Sequence, residues 1–156
     1  MANRITVTLM IRVLALCMAA IFLLHPHGAY AEEKKAETSP EKAQTATEEK
    51  WGIRPLSVRR TAEGYMLDFR YRVTDADKAA QLFGPRIRPY IIDQASGAVM
   101  AVPNVPKVGS LRSTRKPVKD KNYTILFANP QKYIKDGNKV TVVIGDLRIE
   151  NLVVVP

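Results

Sequence analysis

The stretch GYMLDFRYRVTD, residues 64–75, decides the fold. Tyr65, Leu67, Phe69, Tyr71 and Val73 alternate with Met66, Asp68, Arg70, Arg72 and Thr74, the period of two expected of a strand with one buried face. Burying the first set contributes roughly 1.5–3 kcal/mol per large apolar side chain before chain entropy opposes it. A slip of one residue would bury Asp68, Arg70 and Arg72 instead, with a penalty of several kcal/mol for each unpaired ion. The register is therefore strongly specified, and this strand is read as the centre of a β-domain.

Further strand candidates lie on both sides. Residues 53–60 form one, disturbed by Pro55, which points to an edge position or a bulge. Residues 61–64 turn the chain into the central strand. Asp75 is placed to cap a short helix over 76–83, closed by Gly84 and Pro85. Residues 88–93 and 98–102 read as a hairpin around Gln94-Ala95-Ser96-Gly97, and 123–128 as a strand ended by Asn129-Pro130. Asp136-Gly137-Asn138 is a turn signal feeding 139–144, and Gly145-Asp146 breaks the chain before 147–155. In that last strand the apolar phase shifts at Glu150-Asn151, which predicts a β-bulge. Residues 103–122 carry no periodicity and read as a long loop. The fold expected is all-β: an immunoglobulin-like antiparallel β-sandwich of about seven strands with one short helix, or alternatively a small open β-barrel.

The chain of 156 residues suits one domain with an appendage. Arg4 and Arg12 precede an apolar run of twelve, residues 13–24 (VLALCMAAIFLL), and Ala29-Tyr30-Ala31 offers an A-x-A cleavage pattern. This is the layout of a secretory signal peptide over 1–31, and the run is shorter than the roughly 20 residues that span a bilayer. Leu14-Ala15-Leu16-Cys17 resembles a lipobox superficially, but Leu16 is large where a small residue is wanted. Residues 32–50 contain Ala as the single apolar type, with four lysines against six glutamates, and read as a disordered or partly helical polar linker. The β-domain then occupies 51–156, where 18 Lys/Arg oppose 9 Asp/Glu.

Cleavage would remove Cys17, His25 and His27, which are the whole cysteine and histidine content of the chain. The mature protein would then lack a disulfide, a thiol nucleophile, an imidazole base and any Cys/His metal site. No cofactor or metal is expected and the enzyme reading is disfavoured. Asp75 and Asp77 form a D-x-D, but calcium wants about six to eight oxygens, and helix capping accounts for Asp75. Asp68 and Asp93 are not placed together by anything in the sequence, and Asp68 is better read as facing an arginine on the sheet surface. Gly109-Ser110 has no nucleophile-elbow context. Met66 and Met100 make a poor copper site without His or Cys.

Two basic features stand out as candidate binding sites. One is the outer sheet face with Arg70 and Arg72, to which Arg54, Arg59 and Arg60 would add. The other is the loop, with Lys107, Arg112, Arg115, Lys116, Lys119 and Lys121 beside Gly109, Ser110, Ser113 and Thr114. Long irregular segments in compact domains are often functional, and this charge favours anionic partners. As exposed loop cations, Arg112, Arg115 and Lys116 are expected to contribute little to folding. Nucleic acid is disfavoured for an exported chain with Tyr123 as the single aromatic near the loop. The partner expected is an envelope protein met along a sheet edge, or an anionic envelope polymer or lipid; an accessory subunit of an envelope enzyme is a further alternative. Contact with the membrane is expected only through the cleaved leader.

Trp51-Gly52-Ile53, GYMLDFRYRVTD (64–75), PYIIDQASG (89–97), PKVGSLRST (106–114), YTILFANP (123–130) and KVTVVIGD (139–146) together resemble a family of signal-peptide-bearing bacterial envelope proteins of no known activity. The resemblance covers most of 51–155. It implies a periplasmic or secreted address and assigns no catalytic residue.

Overall fold

The computed structural model describes residues 40–156 and the side chains from residue 44 onward. The leader features, meaning the 13–24 run, the cleavage pattern at 29–31, Cys17, His25 and His27, lie outside the described residues, as does the first part of the linker. The linker's end, Pro40–Trp51, is a helix, α1. Gly52 closes it, with φ of +64° and its amide donating to the Glu48 carbonyl at 2.9 Å, a left-handed stop that glycine adopts without strain.

Nine strands follow: β1 (Ile53–Thr61), β2 (Met66–Val73), β3 (Tyr90–Asp93), β4 (Val99–Ala101), β5 (Asn104–Val105), β6 (Gly109–Ser110), β7 (Asn122–Ala128), β8 (Lys139–Ile144) and β9 (Leu147–Val155). Seven of them form one sheet in the order β4-β3-β8-β9-β1-β2-β7, while β5 and β6 form a separate small hairpin. The sheet is nearly barrel-shaped, so the chain takes the all-β fold in its open-barrel form. One ladder departs from the antiparallel expectation: β1 and β9 run parallel, with Val58 beside Val154. This pairing joins the first and last strands, which no local pattern encodes.

The inner face is the one that the alternation indicates. Leu67, Phe69, Tyr71 and Val73 of β2 are buried, and across the ladder they meet Val58 of β1 and Ile125 and Phe127 of β7. Val140, Val142 and Ile144 of β8 and Leu147, Ile149 and Val154 of β9 complete the wall. Tyr65 does not join them. It is 54 % exposed, because a 3-10 turn (Ala62–Gly64) carries the chain through it and β2 starts at Met66. Its ring lies under the Lys132 ammonium at 4.8 Å instead.

Both predicted irregularities are bulges. The β1–β2 register jumps between Pro55 and Ser57, which lets proline sit in an interior strand. In β9, Val140 pairs with Leu152 but Val142 with Ile149, so Glu150 and Asn151 together face Thr141. Asn151 takes φ of +60°, and the extra residue returns Val154 to the core.

The Asp75 carboxylate accepts the Asp77 and Lys78 amides at 3.0 and 3.1 Å, capping α2 (Ala76–Ala79), which a 3-10 turn (Ala80–Leu82) prolongs. This short helix packs Ala79, Leu82 and Phe83 against the core, where Phe83 meets Tyr71 and stands edge-on to Tyr123 at 4.9 Å. Burial pushes the Tyr71 phenol well above its usual value.

Candidate functional site

The outer face of β1 and β2 carries the arginines that the sequence places there. Arg54 lies beside Arg72 and Arg59 beside Asp68 across the ladder, and Arg70 and Arg72 both point outward. The charges on this face are largely neutralised. Arg54 donates to both Glu48 oxygens at 2.8 Å and Arg72 to Asp120 at 3.1 Å. Arg60 does not share this face as the sequence suggested: it stands opposite buried Leu67, one residue after the outward Arg59, and pairs with Asp136 through two hydrogen bonds. The hydrogen bond from Arg54 holds the Glu48 carboxyl below its ordinary range, outweighing the opposing effect of burial. Arg59 donates to the Pro156 carbonyl at 3.1 Å.

Asp68 faces Arg59 across the ladder, the arginine-facing position read from the sequence, but it is buried there. It is 6 % exposed; Oδ2 accepts from Arg70 Nε at 2.7 Å, while Oδ1 has no partner among the described residues. Its neighbours Arg59, Arg70 and Leu126 share its face, and the long stems of arginine can cover a short side chain while keeping their own heads in water.

Segment 103–122 is more ordered than its lack of period suggests. Asn104 pairs with Ser110 and Val105 with Gly109, leaving Lys107 at the hairpin tip with φ of +69°. The chain then runs along the outer edge of β7, where the Leu126 amide donates to the Leu111 carbonyl at 3.0 Å and Arg112 bridges Ile125. The Leu111 amide reaches back to the Pro103 carbonyl at 3.2 Å, so this segment spans the gap between β4 and β7. Strands of two residues are too short to show a pattern in sequence.

Arg112 must be reassigned. Its guanidinium donates to the carbonyls of Gly84 at 2.7 Å, Ile87 at 2.8 Å and Leu82 at 3.4 Å, tying the segment to the end of the short helix. Burial lowers its pKa, with Arg88 nearby adding to the effect. It therefore holds the fold together, and removing it would not be neutral for stability as a loop position would imply.

The other loop cations remain open to solvent. Lys107, Arg115, Lys116, Lys119 and Lys121 are exposed, and among the described residues no carboxylate pairs with them. Asp120, the acid between the last two, is engaged by Arg72. Backbone bonds between Asp120 and Lys121 and both sides of Val73, at 2.8 and 2.9 Å, hold this part of the segment against the end of β2. The Tyr123 hydroxyl accepts the Val118 amide at 2.9 Å.

A shallow cleft of about 240 Å³ opens beside the small hairpin, lined by Arg88, Asn104 and Ser110 with apolar walls from Ile87, Pro89 and Val102. Sequence reasoning counted Arg88 as the start of a strand rather than as a site residue; it belongs to no motif and lies in the irregular connection just before β3. The remaining candidates have local roles. Asp75 caps α2, and Asp93 accepts hydrogen bonds from Ser96 and Asn138. Met100 is in the core while Met66 faces outward, so the two cannot share a metal.

No protein-family model, curated protein or solved structure matches this chain.

Proposed function

We propose that the protein is a non-catalytic binding module of the bacterial cell envelope that engages an anionic envelope component through Lys107 and the 115–121 segment. The observation that carries this reading is the uneven disposition of charge. Arg54, Arg70 and Arg72 on the sheet face meet carboxylates of the same chain, whereas Lys107, Arg115, Lys116, Lys119 and Lys121 have no such partner among the described residues. Cations without a partner in their own chain are screened by solvent alone, so an anion that reaches them gains from each that it contacts. The end of the segment is already held by backbone bonds of Asp120 and Lys121 to Val73, which lowers the ordering entropy that opposes binding there. The leader-like N-terminus supports delivery to the periplasm or the exterior.

A specific feature supports a second reading, recognition of an envelope protein by strand addition. Among the described residues β4 is hydrogen-bonded only to β3, and Val99 on it is 60 % exposed. The other edge, β7, is less available because Leu111 and Arg112 lie along it. An accessory subunit of an envelope enzyme would use the same β4 edge.

Capture of partners by the tagged full chain from envelope extract at low and physiological salt tests both readings. Binding through the cations should weaken steeply with salt and fall further when Arg115, Lys116 and Lys119 are changed to alanine. Capture that ignores both salt and these substitutions would reject the first reading in favour of the β4 edge.

A further inference from the structure

The cleft beside the β5–β6 hairpin is a candidate site distinct from the exposed lysines. Three polar side chains converge on it from two parts of the chain: Arg88 from the connection before β3, and Asn104 and Ser110 from a matched pair in the hairpin. None of the three side chains makes a hydrogen bond or ion pair with another described residue. Arg88 and Asn104 are exposed and Ser110 is half-buried, so their polar groups face solvent at the cleft and are available to a ligand. The Arg112 guanidinium sits on the carbonyl of Ile87, the residue before Arg88, and its partners are carbonyls rather than carboxylates. Two guanidinium charges thus lie close together with no carboxylate paired to either among the described residues.

We infer that this cleft binds a small amphipathic anion, a phosphate or carboxylate group joined to a short apolar body. Arg88 would take the anionic oxygens through its planar fork, and the Asn104 amide and Ser110 hydroxyl would donate to what remains. Ile87, Pro89 and Val102 would cover the apolar part. The volume of about 240 Å³ admits about eight water-sized groups, which suits a short chain or small ring rather than a polymer. The site is independent of the cationic segment 115–121, and either can fail without the other.

The test is a titration of the isotope-labelled full chain with hexyl phosphate, inorganic phosphate and hexanol, following backbone amide shifts. Hexyl phosphate is expected to bind at least tenfold more tightly than either of the others, with saturating shifts at the amides of Ile87, Arg88, Val102, Asn104 and Ser110. Arg88→Ala should weaken it at least tenfold, and Arg88→Lys should restore part of the loss. Arg88 is exposed, so both variants should keep the amide pattern of the parent elsewhere. Vesicles containing phosphatidic acid separate the two sources of such a group: shifts or broadening at the same amides would assign a membrane-borne ligand, and a response to soluble hexyl phosphate alone would assign a diffusible one. Unchanged affinity in Arg88→Ala, shifts confined to 115–121, or equal binding of hexyl phosphate and inorganic phosphate would overturn the inference.

Discussion

The Arg112 guanidinium donates to the Gly84 carbonyl at 2.7 Å, joining the basic segment to the chain just after the short helix. With Leu82 and Ile87 as further acceptors, one side chain ties together three carbonyls of the connection that follows the short helix. Hydrogen bonds to charged donors contribute about 1.5–3 kcal/mol each when well formed, and their loss here is shared with solvent. Arg112→Ala should therefore destabilise the fold by about 2 kcal/mol in urea unfolding, with Arg112→Lys recovering only part. The double variant Arg115→Ala/Lys116→Ala should stay within about 0.5 kcal/mol of the parent, since neither residue has a partner among the described ones.

Asn129 is a second anchor of this kind. It is fully buried; its amide donates to the Gly64 and Ile134 carbonyls at 2.8 Å, and its oxygen accepts the Ile134 amide at 2.9 Å. Asn129→Ala leaves three backbone groups without partners. A loss of about 3 kcal/mol is expected, together with fast hydrogen exchange at the Ile134 amide.

Gly52 couples α1 to the β-domain. Its carbonyl accepts the Thr74 and Asp75 amides at 2.8 and 3.1 Å, and a Cβ placed on it would collide with the Asp75 carbonyl oxygen. Gly52→Ala would add a steric clash with backbone to the roughly 1–2 kcal/mol of left-handed strain. Loss of helical circular dichroism with the β-signal retained is the outcome expected. A variant as stable and as helical as the parent would show that the junction is softer than the geometry indicates.

Acid should weaken the β3–β4 hairpin through Asp93. Burial works to raise its carboxyl, but hydrogen bonds from Ser96, from Asn138 and from the backbone outweigh it and hold the pKa below the ordinary value. A depressed folded pKa contributes stability that is complete above the unfolded value of about 3.9 and is lost as pH falls through the folded value. Asp93→Asn should thus be destabilising at about pH 6, and the gap from the parent should narrow at about pH 3. A gap independent of pH would mean that the hairpin does not depend on the ionised carboxylate.

The legible parts of this protein were those whose causes are local. The alternation from Leu67 to Val73, the Asp75 cap and the bulge at Glu150-Asn151 each involve residues only a few positions apart, so spacing alone determines them. Tyr65 marks the limit of that logic, because turn geometry outranked the alternation one residue before the strand began. Tertiary structure decided what joins distant positions: the parallel ladder of Val58 with Val154, and the seam in which Leu111 links Pro103 to Leu126. It also decided which cations stay available. Sequence showed that Arg54, Arg60, Arg72 and Arg112 are positive, but Glu48, Asp136, Asp120 and three carbonyls claim them only after folding. Charge has a sign in sequence and acquires a partner only in space, so Arg88, Arg115 and the lysines of 107–121 are seen to stay open only after folding has paired the sheet arginines.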